Sequence, residues 1–257
     1  MKDLFSLNGK VAVVVGGAGG IGQAIATGLA YYGAKVIIAS RKQESLERAV
    51  SEIKQDIQKE VSWFTVDASN EGSIQKLAEN VKNKYGTVDI LINSQGYNVK
   101  HDAVEFPMNV WDDMFAVNTK GVMMCCKAFA KLMIPRKSGK IVNISSIRGA
   151  RACGGGNAAY CATKGALDML TRVLCVELAP HNITVNAIAP TLTETPMMAN
   201  IMNSNLELKN KLLSNIPFGR FGNKEDITGA AVFLSSDASA FVNGQVIYVD
   251  GGQSAVG

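Results

Sequence analysis

Short apolar runs alternate with longer stretches in which apolar residues recur at helical spacing. The runs fall at residues 11–15, 35–39, 61–66, 88–93, 140–145, 183–189 and 245–249. The amphipathic or alanine-rich stretches between them include 20–32, 43–59, 71–84, 108–134, 158–179 and 225–235. Because the runs are continuously apolar rather than alternating, they mark strands covered on both faces. Helical crossovers between them make the strands parallel. The pattern predicts one α/β domain over residues 1–257, a doubly wound parallel sheet of about seven strands with helices on both faces. Ligands of such sheets sit beyond the carboxyl ends of the strands, so the chemistry is expected where the apolar runs end.

Composition changes this picture little. The chain has 257 residues, 47% hydrophobic and 19% charged, which is enough for a sizeable core. Its formal charge of +4 is spread along the chain. That balance argues against nucleic acid or a membrane surface as a partner. The first apolar run is too short to span a bilayer. Five cysteines lack metal-ligand spacing, and no leader is recognised; they are read as reduced thiols, with a cytoplasmic location expected. No metal is expected.

Candidate chemistry follows the runs. After the first comes Gly16-Gly17-Ala18-Gly19-Gly20-Ile21-Gly22. A glycine turn between a strand and a helix lets backbone approach a pyrophosphate and aims the helix amides at it, as in a Rossmann-type site. The spacing G-x-x-x-G-x-G is wider than the common G-x-G-x-x-G. The second run ends Ser40-Arg41-Lys42, with no acidic residue to hold ribose hydroxyls. Arg41, beside Ser40, suits a ribose 2′-phosphate, unless it is simply a solvated charge opening a helix. This favours NADP(H) while leaving NAD(H) possible, since Gly19 supplies no second cation. Asp67, after the third run, is either an acceptor for an adenine amino group or a helix cap. Asn93-Ser94-Gln95-Gly96 ends the fourth run, where small residues let a ribose pass close to the backbone. Tyr160 and Lys164 are four residues apart and share a helix face. A cation there favours ionisation of a phenol whose reference pKa is about 10.

Together these residues resemble the short-chain dehydrogenases/reductases over essentially the full length. The matching elements are Gly16-x-x-x-Gly20-Ile21-Gly22, Asp67, Asn93-Ser94-Gln95-Gly96, Asn118, Ser146, Tyr160-x-x-x-Lys164, Pro190 and Thr195. Within the family the pattern is most similar to gluconate 5-dehydrogenases and related sugar-acid or polyol dehydrogenases. The resemblance implies hydride transfer between a nicotinamide and a carbinol carbon. It implies that Tyr160 exchanges the proton, Ser146 orients the substrate oxygen, Lys164 lowers the Tyr160 pKa and holds the nicotinamide ribose, and Asn118 holds a relay water. It further implies Ala68 beside the adenine, Pro190, Thr193 and Thr195 at the carboxamide, and a homotetramer in which 108–134 and 158–179 pair across one interface. The chain departs from the family pattern at Val15, Gln95 and Thr191, and by one extra residue within Cys153-Gly154-Gly155-Gly156. These departures bear on pocket shape.

The substrate is expected to be a small carbonyl or alcohol compound: a sugar acid, sugar or polyol. One cation among Arg148, Arg151, Lys100 and His101 is a candidate for an anionic substrate group, with Arg148 the site residue chosen. A Met-rich stretch opens a candidate lid at about 195–217, unless it is ordinary helix packing. His181 is read as a surface loop residue and Cys161 as a small apolar filler. Two other functions compete: reduction of a 3-oxoacyl group on an acyl-carrier protein, and dinucleotide sensing or scaffolding without turnover.

Overall fold

The computed structural model describes residues 3–194 and 205–256. Seven strands form one sheet in the order β3-β2-β1-β4-β5-β6-β7. They are β1 (Val11–Val15), β2 (Lys35–Ser40), β3 (Ser62–Thr65), β4 (Ile90–Asn93), β5 (Gly139–Ile144), β6 (Ile183–Pro190) and β7 (Val246–Val249). Every neighbouring pair is parallel. The order reverses between β1 and β4, which leaves a crevice at their carboxyl ends.

Period-two alternation divides each central strand between two cores. In β1, Val11, Val13 and Val15 face one side, against α3 (Glu71–Tyr85), α5 (Gly121–Met133) and α6 (Ala158–Leu178). Ala12 and Val14 face the other, against α1 (Gly20–Tyr31), α2 (Gln43–Ile57) and the helix Lys224–Ser235. That last helix is α8, following α7 (Leu206–Leu213). A reciprocal cap starts α8: Asp226 N–H donates to Asn223 Oδ1, and Asn223 N–H to Asp226 Oδ2, both at 2.8 Å. Burial on both faces holds for the central strands. The edge strands β3 and β7 are only partly covered, because one of their long sides has no neighbouring strand.

The largest departure from expectation lies in 108–134. The predicted single helix is α4 (Met108–Phe115), a π turn at Ala116–Lys120, and α5. In the π turn the Gly121 N–H reaches back to Ala116 O. The inserted residue turns Asn118 inward, where it is fully buried. Helical periodicity cannot reveal this, since a one-residue bulge leaves the apolar pattern on both sides intact.

Candidate active site

A cavity of about 450 Å³ opens at the carboxyl ends of β1, β2, β4 and β5. Its floor is the glycine turn. Gly16 has φ +83°, and a Cβ there would lie 2.6 Å from Gln95 N. A Cβ on Gly22 would lie 2.2 Å from Gly16 O. The turn therefore closes only with no side chain at Gly16 and Gly22. Gly19, the residue before α1, gives the helix no side-chain cap, so its first amides face the cavity without a capping partner.

Gly16, Gly19, Ile21, Gly22, Ser40, Arg41, Asp67, Ala68, Gly96, Tyr160 and Lys164 all line this space. The fit to a dinucleotide is structural: a glycine cradle at a helix start, a cation and hydroxyl at the end of β2, and a carboxylate after β3. Asp67 Oδ1 accepts from Ser69 N–H (2.9 Å) and Ser69 Oγ (2.7 Å). These bonds hold its carboxyl below the usual range, with Arg41 adding a smaller effect. Asn70, not Asp67, caps α3, accepting from Ser73 N–H at 2.9 Å. Gly20 opens α1. Asn93 turns away from the cavity and donates to Asn143 Oδ1 at 2.9 Å; Asn143 in turn donates to Thr171 Oγ1 at 2.9 Å. This buried ladder ties β4, β5 and α6 together beneath the site. Pro190 ends β6 opposite Val249, and Thr193 pairs with Gly222. Thr191 keeps the sheet direction through its N–H to Val249 O, while its hydroxyl meets the Gln253 side chain. Thr195 and the Met-rich start of the expected lid lie outside the described residues.

At the other end of the cavity, Tyr160 stands on the first turn of α6 and Lys164 one turn on. Lys164 Nζ donates to Ile144 O at 2.7 Å and lies 5.7 Å from the centre of the Tyr160 ring. Burial pulls the ammonium down to about 8, and Asp168 opposes the shift. Burial pushes the Tyr160 phenol above its ordinary value, while a hydrogen bond to Ser146 and the Arg148 charge pull it back. The ammonium donates to a backbone carbonyl here, and Ser146 and Arg148 are the groups that pull the phenol down. Ser146 also accepts from Arg148 N–H at 3.2 Å, which fixes the turn after β5.

Asn118 spends its side chain on structure. Its Oδ1 accepts from Tyr97 N–H (3.0 Å), and its Nδ2 donates to Tyr97 O (2.9 Å) and Thr163 Oγ1 (3.2 Å). Asn118 therefore pins the loop after β4 to α6. A second pin is Asn157, which accepts from Asn98 Nδ2 at 2.8 Å and donates to Gly154 O at 2.8 Å. His101 N–H donates to Gly156 O, and its ring packs edge-on against Phe106. Of the expected substrate cations, Arg151 is engaged elsewhere: it donates to Gln253 O at 2.8 Å and to Val256 O, holding the C-terminal tail. Asp168, outside the site expected from the sequence, lies at i+4 from Lys164, a spacing that marks it as a neighbour on the same helix face. It is buried one turn below Lys164, and burial raises its carboxyl. No described helix is long and apolar enough to cross a membrane.

Known proteins share this arrangement. The chain is 41% identical over 253 residues to 5-keto-D-gluconate 5-reductase of Escherichia coli (strain K12), covering 98% of each. It is 36% identical over 246 residues to the 3-oxoacyl-[acyl-carrier-protein] reductase FabG of Thermotoga maritima (strain ATCC 43589 / DSM 3109 / JCM 10099 / NBRC 100826 / MSB8), covering 96% of this chain and 98% of that one. A solved structure described as a gluconate 5-dehydrogenase from Burkholderia cenocepacia J2315 in complex with NADP and tartrate superposes with a TM-score of 0.93 at 32% identity, covering 99% of both chains. The family model described as Enoyl-(Acyl carrier protein) reductase matches residues 16–254. With the sheet order, the glycine cradle and the Ser146–Tyr160–Lys164 cluster in place, the chain belongs to the short-chain dehydrogenase/reductase family of oxidoreductases acting on CH–OH groups.

Proposed function

We propose that this protein interconverts a ketone and a secondary alcohol on a sugar acid, with NADP(H) preferred over NAD(H). The observation that carries the substrate class is Arg148. Its charge acts on the Tyr160 phenol, whereas Arg151 is committed to the tail. Arg148, with Lys100 on the facing loop, is thereby a cation available to a substrate carboxylate beside the reacting carbon. The 41% identity to a 5-keto-D-gluconate reductase supports the same class.

The residues present divide the work. The Gly16–Gly22 turn would receive the pyrophosphate, and Ser40 with Arg41 the 2′-phosphate. Asp67 and Ala68 would border the adenine, Gly96 and Lys164 the nicotinamide ribose, and Pro190 with the Thr193 backbone the carboxamide. When bound, the nicotinamide supplies or accepts the hydride. Tyr160 gives its proton to the substrate oxygen in reduction and takes it back in oxidation. Ser146 donates to the same oxygen and stabilises its developing charge. Lys164, charged below about 8, holds positive potential behind the phenol. Asn118 and Asn157 keep the mouth in register with α6. The upward-shifted phenol is a proton donor at neutral pH, which suits the reductive direction.

Self-association completes the reading. On α6, Met169, Val173 and Val176 are 56%, 46% and 72% exposed at i, i+4, i+7 spacing, an apolar stripe suited to pairing with a second copy. A homotetramer is the expected mass by light scattering.

The test is a set of initial rates, followed by loss of NADPH absorbance. 5-Keto-D-gluconate should turn over with NADPH, and Arg148→Ala should raise its KM roughly 10- to 100-fold, the worth of a charge-assisted hydrogen bond. Arg41→Ala should weaken NADPH while leaving NADH unchanged. Higher turnover of acetoacetyl thioesters would instead favour the carrier-protein reductase. NADPH binding without turnover of any carbonyl compound would favour a sensor.

A further inference from the structure

Two thiols meet at the mouth of the site, and nothing in the reaction uses them. Cys153 and Cys161 are each partly exposed. The Cys153 thiol is hydrogen-bonded to Cys161, and both lie close enough to Tyr160 to act on its phenol. Backbone geometry brings them together independently. Asn157 Nδ2 donates to Gly154 O at 2.8 Å and Gly155 O at 3.2 Å, while Cys161 N–H donates to Asn157 O at 2.9 Å. The same residue thus folds the loop beside Cys153 onto the helix turn that carries Cys161. Gly155 and Gly156 have φ +71° and +79°, and a Cβ on Gly154 or Gly155 would meet nothing within 4 Å. Gly156 is held against the His101 backbone, so the space for the small adjustment that disulfide geometry demands lies at Gly154 and Gly155, next to Cys153. The remaining thiols do not compete in this way: Cys125 and Cys126 are buried in the core, burial pushes Cys126 up to about 12, and the partly exposed Cys175 sits near the far end of α6 from Cys161, its thiol donating to Arg172 O at 3.1 Å.

We propose that Cys153 and Cys161 form a reversible disulfide by exchange with a low-molecular-weight disulfide, and that its closure restrains turnover. Cys153, faced by Arg148 and Lys100, loses its proton and attacks one sulfur of the small disulfide. A mixed disulfide forms and one small thiolate leaves. The Cys161 thiolate then attacks the Cys153 sulfur, the second small thiolate leaves, and the intramolecular bond is complete. Two protein thiols give up two protons and two electrons, and one small disulfide becomes two thiols. Closure draws the glycine loop onto the turn carrying Tyr160, the residue whose placement the reaction tolerates least. Burial and Cys161 hold the Cys153 thiol up, while Arg148 and Lys100 pull it down. The exchange should therefore quicken as pH rises through the mildly alkaline range.

The test uses the full-length protein treated with oxidised glutathione at mildly alkaline pH. The intact mass should fall by two hydrogens, and digestion should yield one linked species joining the peptides of Cys153 and Cys161. Activity should fall about tenfold or more and return with dithiothreitol. Cys153→Ser should keep its activity through the same treatment, whereas Cys161→Ser should stop at the mixed disulfide on Cys153, read as one added glutathione in the intact mass. The proposal is overturned if the five thiols stay free, if another pair links, if activity survives closure, or if Cys153→Ser is inactivated as fast as the wild type. The mass and peptide readouts need no substrate, so they stand or fall separately from the sugar-acid reading.

Discussion

Where the glycine turn floors the cavity the protein presents backbone; at the Tyr160 end it presents side chains held by other side chains. The first end is a glycine turn whose closure excludes even a methyl group at Gly22. The second is assembled from segments far apart in sequence: Asn118 on Tyr97, Asn98 on Asn157, Arg151 on the C-terminal tail. Backbone recognition is generic for phosphates and tolerates no insertion. Side-chain assembly can be rebuilt residue by residue, which is how one fold accepts many carbonyl substrates. The comparison makes changes at the two ends distinguishable by what they alter.

The largest effect should come from Tyr160→Phe. Loss of the proton donor should lower kcat by roughly 10²–10⁴-fold, while NADPH fluorescence titration gives an unchanged dissociation constant. Next, Gly22→Ala should damage the other end. Its Cβ would enter the Gly16 carbonyl, and the displaced turn should lower kcat/KM for NADPH by roughly 10²-fold, with little change in KM for the carbonyl substrate.

A pH profile joins the two ends through Lys164. Burial lowers its pKa from 10.5 to about 8, so the unfolded chain binds the extra proton between those values. Lys164 therefore costs stability below about pH 8, and the cost is relieved as pH rises towards 10.5. Activity should move the opposite way, because the working form is charged. The kcat/KM profile should fall on the alkaline side with an apparent pKa near 8. In Lys164→Arg, which stays charged, that limb should disappear even though activity is lower.

Most of the fold was legible because the central strands are largely apolar runs, interrupted only by Lys140 and Asn143 in β5 and Thr184 and Asn186 in β6, and followed by glycine or small polar residues. The glycine turn was legible for the same reason: its spacing is local. That Tyr160 and Lys164 share a helix face needed only helical periodicity, while their roles came from the resemblance. What escaped was non-local or aperiodic. The π turn at Ala116–Lys120 adds one residue to an otherwise helical pattern. Arg151 and Arg148 are indistinguishable as charges in the sequence, and only the docked tail separates them. Asn157 reads as a residue before a helix. Its role as the joint between two loops depends on Asn98, 59 positions away.

The contrast between the ends is tested most directly at that joint. In Asn157→Ala, NADPH affinity and the KM for the carbonyl substrate should be measured on one preparation whose folding is verified by its melting transition. A KM raised several-fold, on the order of the 1 kcal/mol or more lost with a buried hydrogen-bonding group, beside an unchanged NADPH dissociation constant, is the expected result. Equal losses in both would contradict a mouth assembled separately from the backbone cradle.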